Sequence, residues 1–485
     1  MIKSDAPISN LKEDEFQRDS FAKQISDLII NRESNDSFVI GIYGKWGEGK
    51  SSTINLIKNK LEQEKDKTII LPFNPWMFSN EGDLLTVFFK TIINLFKNTP
   101  ISIKNKLGKK LDQYSDIIGG AALTLFSIPG ISNITSKVGK YLSQKSLDER
   151  KIEINEALST FDKKVVVILD DIDRLSPNEI IAVFKLIKLT GDFKNFIYIV
   201  AFDNILVGKL ISKHFEGEGD GYLEKIIQLP LKLPKAPKHL ILKQLTNSID
   251  EILKTNKVVL SNDERYRLDS ALTMFIAPCI DTPRIVIRYI NSLNFTIPLL
   301  LNEVNVIDLI LIEWIKVYYP EWYTFIRDES NYFFYNKKSK DLFLSKIKIK
   351  EENIKSEIEN KISNICESSE SMEILKRISI ELFPHLKQTL DTSLNSNIDA
   401  QQLIKEQRIS SHDYFERYFT YTVIKGQISD VKYNSFLNEM FKDYGISDKK
   451  KLTEFIDNLE IENLTFKLQI SFKDINLESI KPFVL

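Results

Sequence analysis

The stretch Phe38-Val-Ile-Gly-Ile-Tyr43, followed directly by Gly44-Lys-Trp-Gly-Glu-Gly-Lys-Ser51, decides the fold of this chain. Five of its first six residues are β-branched, aromatic or otherwise apolar, as a buried strand requires. A GxxxxGKS loop follows, and the sequence from Ser51 onwards is typical of a helix. The glycines allow backbone N–H groups to wrap a phosphate chain, and the helix N-terminus adds a partial positive charge at the same place. An ordinary glycine turn would not need every letter of this motif, so the sequence predicts a nucleotide-binding P-loop.

Two side chains of the loop have distinct predicted roles. We expect Lys50 to reach the β- and γ-phosphates and Ser51 to offer its hydroxyl to Mg²⁺. The full predicted phosphate-binding set is Gly44, Lys45, Trp46, Gly47, Glu48, Gly49, Lys50, Ser51 and Ser52. No Asn/Thr-Lys-x-Asp guanine motif follows the fourth predicted strand, so the predicted nucleotide is ATP.

A second apolar run, Lys164-Val-Val-Val-Ile-Leu169, ends on the acidic sequence Asp170-Asp171-Ile-Asp173. This is the Walker B pattern, which places Asp170 at the carboxyl end of a strand to hold Mg²⁺. Asp171 is then the candidate that polarises the attacking water as a general base. Asp171 and Asp173 are also in place to cap the helix that follows, and for Asp173 capping and catalysis remain equally open.

Three further strands complete a β/α alternation, at residues 68–73, 195–201 and 225–234. Such alternation predicts an α/β fold with a parallel sheet and helices on both faces. The strand at 195–201 is followed by Phe202-Asp203-Asn204, where NTPases that insert a strand between the P-loop and Walker B strands place a sensor of the γ-phosphate. Asp203 is in that position, but it is equally suited to be the N-cap of the next helix.

Composition and length limit the remaining possibilities. A chain of 485 residues predicts two or three domains, and a net charge of −1 gives no direct nucleic-acid signal. Two distant cysteines and four scattered histidines argue against a zinc site and for a reducing, cytoplasmic location. The predicted parts are a P-loop core (1–236) with a helical insertion (98–161), an all-α lid or sensor domain (237–330), and a mostly helical C-terminal domain (331–485).

Several of these segments together resemble the KAP family of P-loop NTPases. They are the P-loop itself, Asn74-Pro-Trp76, the Walker B segment to Leu175, Ala-Phe-Asp203, Thr282-Pro-Arg-Ile-Val-Ile-Arg-Tyr-Ile-Asn291, and Ser4-Asp-Ala-Pro-Ile8 with Asp14 and Arg18. The resemblance implies an additional-strand ATPase related to AAA+ and STAND switches, with bacterial members associated with phage exclusion, often at a membrane.

The resemblance also draws attention to an arginine-bearing helix after the sheet. Arg284 and Arg288 lie one helical turn apart and therefore share a face. The resemblance implies that one of them contacts the γ-phosphate, and the alternative is a salt-bridged surface helix.

The insertion raises the question of a membrane, because residues 117–136 carry no charge. A single crossing would place Lys50 and Asp170 on opposite sides of a bilayer, although both must touch one nucleotide. We therefore expect no spanning helix, and either a packed helical hairpin or a peripheral contact with the inner membrane.

The sequence thus predicts a Mg²⁺-dependent ATPase that acts as a conformational switch, with a protein partner or a second copy of itself. The resemblance to the KAP family implies a role in bacterial anti-phage defence. Two alternatives stay open: a non-hydrolysing ATP-gated scaffold that recruits a separate effector, and a membrane-surface organiser.

Overall fold

The computed structural model of the chain describes residues 5–77, 81–95, 111, 144–159, 161–213, 219–334, 344–390, 399–425 and 427–435. The chain divides into two compact units: residues 6–240, here called the P-loop unit, and residues 241–485 with 1–5, here called the helical unit. This division lies close to the predicted boundary between residues 236 and 237. The predicted boundary between residues 330 and 331 lies inside the helical unit, so a separate lid stays a prediction.

Five parallel strands form the sheet in the described part of the P-loop unit. They are β1 (Phe38–Tyr43), β2 (Thr68–Phe73), β3 (Lys164–Leu169), β4 (Phe196–Phe202) and β5 (Leu229–Lys232). Their order across the sheet is β2-β3-β4-β1-β5, and every pairing is parallel. Strand β4 pairs with β1 on one side, where Ile199 lies opposite Ile40, and with β3 on the other. The predicted α/β fold with a strand inserted between the P-loop and Walker B strands is confirmed.

The two faces of the sheet are both covered, as the side chains of β3 show. Val165 and Val167 lie in one apolar cluster together with Phe184. Val166, which points to the opposite face, lies in a second cluster together with Ile57. A strand buried on both faces explains why its sequence is continuously apolar rather than alternating.

Helices connect the strands of this unit. They are α1 (Asp19–Ile30), α2 (Lys50–Gln63), α3 (Glu81–Leu95), α4 (Gln144–Ser159), α5 (Pro177–Thr190), α6 (Asn204–Ser212) and α7 (Gly219–Glu224). Helix α5 begins with a capping box, in which Ser176 Oγ accepts from the Glu179 N–H and Glu179 Oε2 accepts from the Ser176 N–H.

The helical unit confirms the prediction that the second half of the chain is helical. After α8 (Lys238–Thr255), which spans the division, come α9 (Asn262–Ala271), α10 (Pro283–Leu299), α11 (Val306–Tyr318), α12 (Pro320–Asp328), α13 (Leu344–Ile365), α14 (Ser369–Leu382), α15 (Leu386–Leu390), α16 (Ala400–Lys405), α17 (His412–Phe415) and α18 (Arg417–Thr420). The core of the unit is built around α11, where the buried Trp314 ring meets Tyr289 of α10 edge to face at 5.1 Å.

The predicted insertion (98–161) contains α4 in its second half. Residues 117–136, for which a packed hairpin or a peripheral membrane contact was expected, lie outside the described residues. Within the described ranges, none of the helices has both the length and the apolar character needed to cross a membrane.

Candidate nucleotide-binding site

The loop between β1 and α2 has the backbone geometry of a phosphate cradle. Gly47 and Gly49 both have positive φ, 86° and 94°, a conformation that glycine adopts without steric cost. Gly49 occupies the N-cap position of α2 and has no side chain to accept from the first N–H groups of the helix. Those N–H groups and the helix dipole therefore point to an anion at this place.

Other members of the predicted phosphate-binding set shape the loop with their own bonds. Glu48 Oε2 accepts from the Lys45 N–H at 2.8 Å, which closes the turn. Ser52 Oγ accepts from the Ile8 N–H at 3.3 Å, so it ties the N-terminal segment to α2. The Trp46 side chain is largely exposed at the tip of the loop.

The Lys50 ammonium lies inside the loop and is only 7% exposed. Its Nζ donates to the Gly44 carbonyl at 2.8 Å and to Asp173 Oδ2 at 3.0 Å. A positive charge is thus held within the curve of the P-loop, where a phosphate would sit.

Asp170 follows the last residue of β3 and lies beside Ser51 of α2. Burial raises the pKa of the Asp170 carboxyl, and a hydrogen bond from the Ser51 side chain opposes that shift. Asp170 Oδ1 also accepts from the Asp171 N–H at 2.8 Å. The structure therefore brings together the hydroxyl and the carboxylate that were predicted to hold Mg²⁺, and hard oxygen donors of this kind fit that ion.

Asp171 has a left-handed backbone, with φ of 58°. Its carboxylate is paired with Arg174 Nη2 at 3.0 Å across one short turn. Both side chains are partly exposed, so this ion pair is open to water. The role of Asp171 as general base stays a prediction.

Sequence reasoning underrated Asp173, whose side chain is 5% exposed. One carboxylate oxygen accepts from Lys50 Nζ and also, at 3.3 Å, from the Asp203 N–H. The helix cap that the sequence left open for Asp173 belongs to Ser176. Asp173 therefore links the P-loop lysine to the end of β4.

Asp203 lies at the carboxyl end of β4 and caps α6. Its Oδ1 accepts from the N–H groups of Ile205 and Leu206 at 3.0 and 3.1 Å. Asp203 is therefore the N-cap of α6, as one of the two interpretations predicted. Its role as a sensor of the γ-phosphate stays a prediction.

Arg284 and Arg288 lie on α10 in the helical unit. Arg284 Nε is paired with Asp5 Oδ2, whereas the Arg288 side chain is exposed. Their predicted contact with the γ-phosphate stays a prediction.

The sequence profile of the KAP family P-loop domain matches residues 18–300, which is more than half of the chain. The chain belongs to the KAP family of P-loop NTPases. This KAP protein is similar to the phage T7 exclusion protein of Escherichia coli (strain K12), with 28% identity over 345 residues. The match covers 66% of this chain and 46% of that protein, so the chain spans about half the length of the curated relative it matches.

Two solved structures are similar to the KAP protein at a low level. The Aeropyrum pernix ORC2 protein in its ADPNP–ADP complexes is 12% identical, with a TM-score of 0.33 over 66% of this chain and 73% of that one. Cdc6p from Pyrobaculum aerophilum is 14% identical, with a TM-score of 0.32 over 80% and 87% of the two chains.

Proposed function

We propose that this KAP protein is a cytoplasmic, Mg²⁺-dependent ATPase that acts as a nucleotide-driven conformational switch in anti-phage defence. The observation that carries the ATPase proposal is the meeting of three groups at one edge of the sheet. The buried Lys50 ammonium lies inside the P-loop, while Ser51 and Asp170 lie side by side where a metal-bound phosphate would end.

Phosphate binding, ion binding and water activation fall to different residues of the site. Lys50 and the loop N–H groups would bind the phosphates, and Ser51 and Asp170 would hold the ion. When it is bound, Mg²⁺ neutralises negative charge on the phosphate oxygens. Asp171 would orient the attacking water and accept its proton.

The switch proposal is supported by the position of Asp173. Its carboxylate is shared between Lys50 Nζ and the Asp203 N–H, which lies at the N-terminus of α6. A phosphate that takes up the Lys50 ammonium weakens one of these two bonds and leaves the other. A contact that differs between nucleotide states is what a ligand needs to shift a conformational equilibrium.

Phosphate release from ATP in the presence of Mg²⁺ tests the enzymatic part. Lys50→Ala should abolish both ATP binding in isothermal titration and phosphate release, because it removes the side chain that reaches the β- and γ-phosphates. Lys58→Ala is the matched control, since Lys58 lies on the same helix with a partly exposed ion pair to Glu62. Unchanged ATP affinity in Lys50→Ala would refute the P-loop assignment.

The defence role is supported by the phage T7 exclusion protein, a relative that this chain matches over part of its length. Efficiency of plating on cells that express the wild type or Lys50→Ala tests it. We expect fewer T7 plaques with the wild type and no reduction with the variant. Equal plating on both strains would leave the ATPase without a role against this phage.

One observation favours a second candidate, an ATP-gated scaffold that does not hydrolyse its nucleotide. The Asp171 carboxylate is engaged by Arg174 at 3.0 Å, which lowers its availability as a base. A protein that binds ATP with Mg²⁺ but releases no phosphate would support this candidate, with a partner protein or a second copy as the recipient of the signal.

A further inference from the structure

Arg18 is a buried cation in the P-loop unit that the proposed mechanism does not use. It directly precedes α1, and it is 4% exposed. Among the residues that the structure describes, no group accepts a hydrogen bond from its two buried Nη atoms. A guanidinium in this state is costly, because an arginine side chain keeps its charge in proteins and offers five donors.

The carboxylates of Asp14 and Glu48 lie near this charge, but they accept hydrogen bonds from backbone N–H groups instead of from Arg18. Burial lowers the pKa of the Arg18 guanidinium, and the charges of Asp14 and Glu48 oppose that shift. Asp14 accepts from the N–H groups of Phe16 and Asp19, and Glu48 accepts from the Lys45 N–H. They therefore compensate the charge of Arg18 at a distance and leave both Nη atoms without a hydrogen bond.

The guanidinium packs directly on the P-loop. A Cβ atom placed on Gly49 would lie 3.4 Å from both Cζ and Nη1 of Arg18. Gly49 is the left-handed residue at which α2 begins, and loops of this kind present N–H groups to the α- and β-phosphates. The free donors of Arg18 thus lie beside the part of the loop that receives those phosphates.

The segment that carries Arg18 is anchored to the same helix as the P-loop. Asn55 and Asn59 of α2 donate to the carbonyls of Ile8 and Ser9 at 2.9 and 2.7 Å. Lys60 of α2 pairs with Asp19, the residue after Arg18, at 2.7 Å. These bonds fix the position of Arg18 relative to α2, as a preorganised binding group requires.

We propose that Arg18 is a nucleotide-binding residue whose Nη atoms donate to oxygens of the α- and β-phosphates, the part that ATP and ADP share. This assignment rests on the proposed nucleotide-binding function. It makes Arg18 a second fixed cation beside Lys50, one that acts on the diphosphate rather than on the γ-phosphate. Its planar fork suits two oxygens at once, which an ammonium cannot reproduce.

Isothermal titration with ADP and with the non-hydrolysable analogue AMP-PNP, in the presence of Mg²⁺, tests this assignment. Arg18→Gln should weaken both nucleotides by a similar factor of about ten to a hundred, the value of a charged hydrogen bond. Arg32→Gln is the matched control. Arg32 stacks on the ring of Phe38 at the start of β1, roughly 20 Å along the strand from the P-loop, and its loss should leave both affinities unchanged.

The thermal stability of the nucleotide-free protein separates a binding role from a structural one. Because Arg18 is buried without hydrogen-bond partners for its Nη atoms, Arg18→Gln should leave the melting temperature unchanged or raise it. A structural arginine would give the reverse, a lower melting temperature with unchanged nucleotide affinity, and that result would overturn the assignment.

Arg18→Lys keeps the charge and removes the fork, so it should fold as the wild type and lose about tenfold in affinity for both nucleotides. If Arg18→Gln fails to fold, wild-type affinity in Arg18→Lys would overturn the assignment. A wild type that binds neither nucleotide would instead refute the proposed function itself. If the wild type binds both nucleotides and Arg18→Gln binds them equally well, only the role of Arg18 is refuted.

Discussion

The carboxyl edge of the sheet and the core of the helical unit both bury charged side chains, but they satisfy them to different degrees. In the helical unit, Asp308 has no exposed surface. Its carboxylate accepts from Arg267, from Arg408 Nε at 2.9 Å and from the Ile409 N–H at 2.9 Å. Every buried oxygen of that carboxylate has partners, and the bonds join segments far apart in the sequence.

The same unit repeats this arrangement around Arg417. Its Nη1 donates to Glu303 Oε2 at 3.0 Å and to Asp430 Oδ2 at 2.7 Å, and its Nη2 donates to the Ile428 carbonyl. In the P-loop unit, by contrast, Arg18 is equally buried and keeps two Nη atoms without a hydrogen-bond partner among the described residues. A buried charge with complete partners stabilises the fold, whereas a buried guanidinium with unpaired donors requires an explanation, and a bound ligand supplies one for Arg18.

At the carboxyl edge of the sheet, the largest effect is expected on phosphate release, at Asp171. Asp171→Asn should keep ATP affinity and slow phosphate release by about 10²- to 10⁴-fold, because it preserves the shape of the side chain and removes the base. Titration and phosphate-release assays measure the two quantities separately. Asp192→Asn, at an exposed ion pair with Lys151, serves as the control. Full hydrolysis by Asp171→Asn would move the activation of water to another residue.

A substitution in the helical unit should act on stability instead. Asp308→Asn leaves the buried Arg408 with a neutral partner, whereas Arg267 keeps its ion pair with Glu381. Breaking a buried ion pair costs roughly 3–5 kcal/mol of unfolding free energy. Denaturant unfolding measures the loss, and nucleotide affinity should not change. Asp250→Asn is the control, since its ion pair with Arg265 is exposed and should contribute little. A loss of nucleotide affinity in folded Asp308→Asn would contradict a purely structural role for Asp308.

The contribution of Asp308 to stability should depend on pH. Burial alone would raise the pKa of the Asp308 carboxyl, but Arg408 and Arg267 outweigh burial and hold that pKa below its ordinary value. A depressed pKa in the folded protein means that the stabilisation is present above the unfolded value of about 3.9 and is lost as the pH falls through the folded value. The difference in stability between the wild type and Asp308→Asn should therefore shrink below about pH 4.

Arg284 and Arg288, unlike Asp308, are charges of the helical unit with a predicted role toward the nucleotide. Arg284→Ala or Arg288→Ala should leave ADP affinity nearly intact and reduce the preference for ATP by about ten- to a hundredfold. Limited proteolysis should then show no difference between ATP-analogue and ADP states in one of the two variants. Arg265→Ala is the control on a surface helix. If both variants keep the wild-type difference, helix α10 is structural.

The smallest effect is expected at Asp173, which competes with a phosphate for Lys50. Asp173→Asn removes this negative charge while keeping a polar side chain beside the Asp203 N–H. Nucleotide affinity should rise by about threefold to tenfold, the value of roughly one hydrogen bond. Asp203→Asn changes the neighbouring cap without touching Lys50 and should not reproduce this gain. A weaker affinity in Asp173→Asn would instead make Asp173 part of the metal-binding group.

The local elements of the site could be predicted from short contiguous segments. The P-loop could be predicted because its strand, glycines and helix are contiguous, and the positive φ values at Gly47 and Gly49 are a property of glycine itself. Strands β1, β3 and β4 were recognisable because continuous apolar runs mark strands buried on both faces. Strands β2 and β5, which have exposed positions, were predicted as parts of the β/α alternation. The strand between the P-loop and Walker B strands followed from the family resemblance, and the pairing of β4 with β1 and β3 confirms it.

The packing of distant segments determines which charged side chains form contacts. Lys50 and Asp173 are 123 residues apart, and no periodicity or motif connects positions at that separation. The strand order β2-β3-β4-β1-β5 determines that the ends of β3 and β4 lie next to the P-loop, so Asp173 reaches Lys50 and the Asp203 N–H together. Arg18 likewise becomes a candidate ligand-binding residue only when α1 and α2 are packed and its partners can be counted. A motif of contiguous residues can be recognised in the sequence, but the hydrogen-bond partners of a buried charge come from every element packed around it.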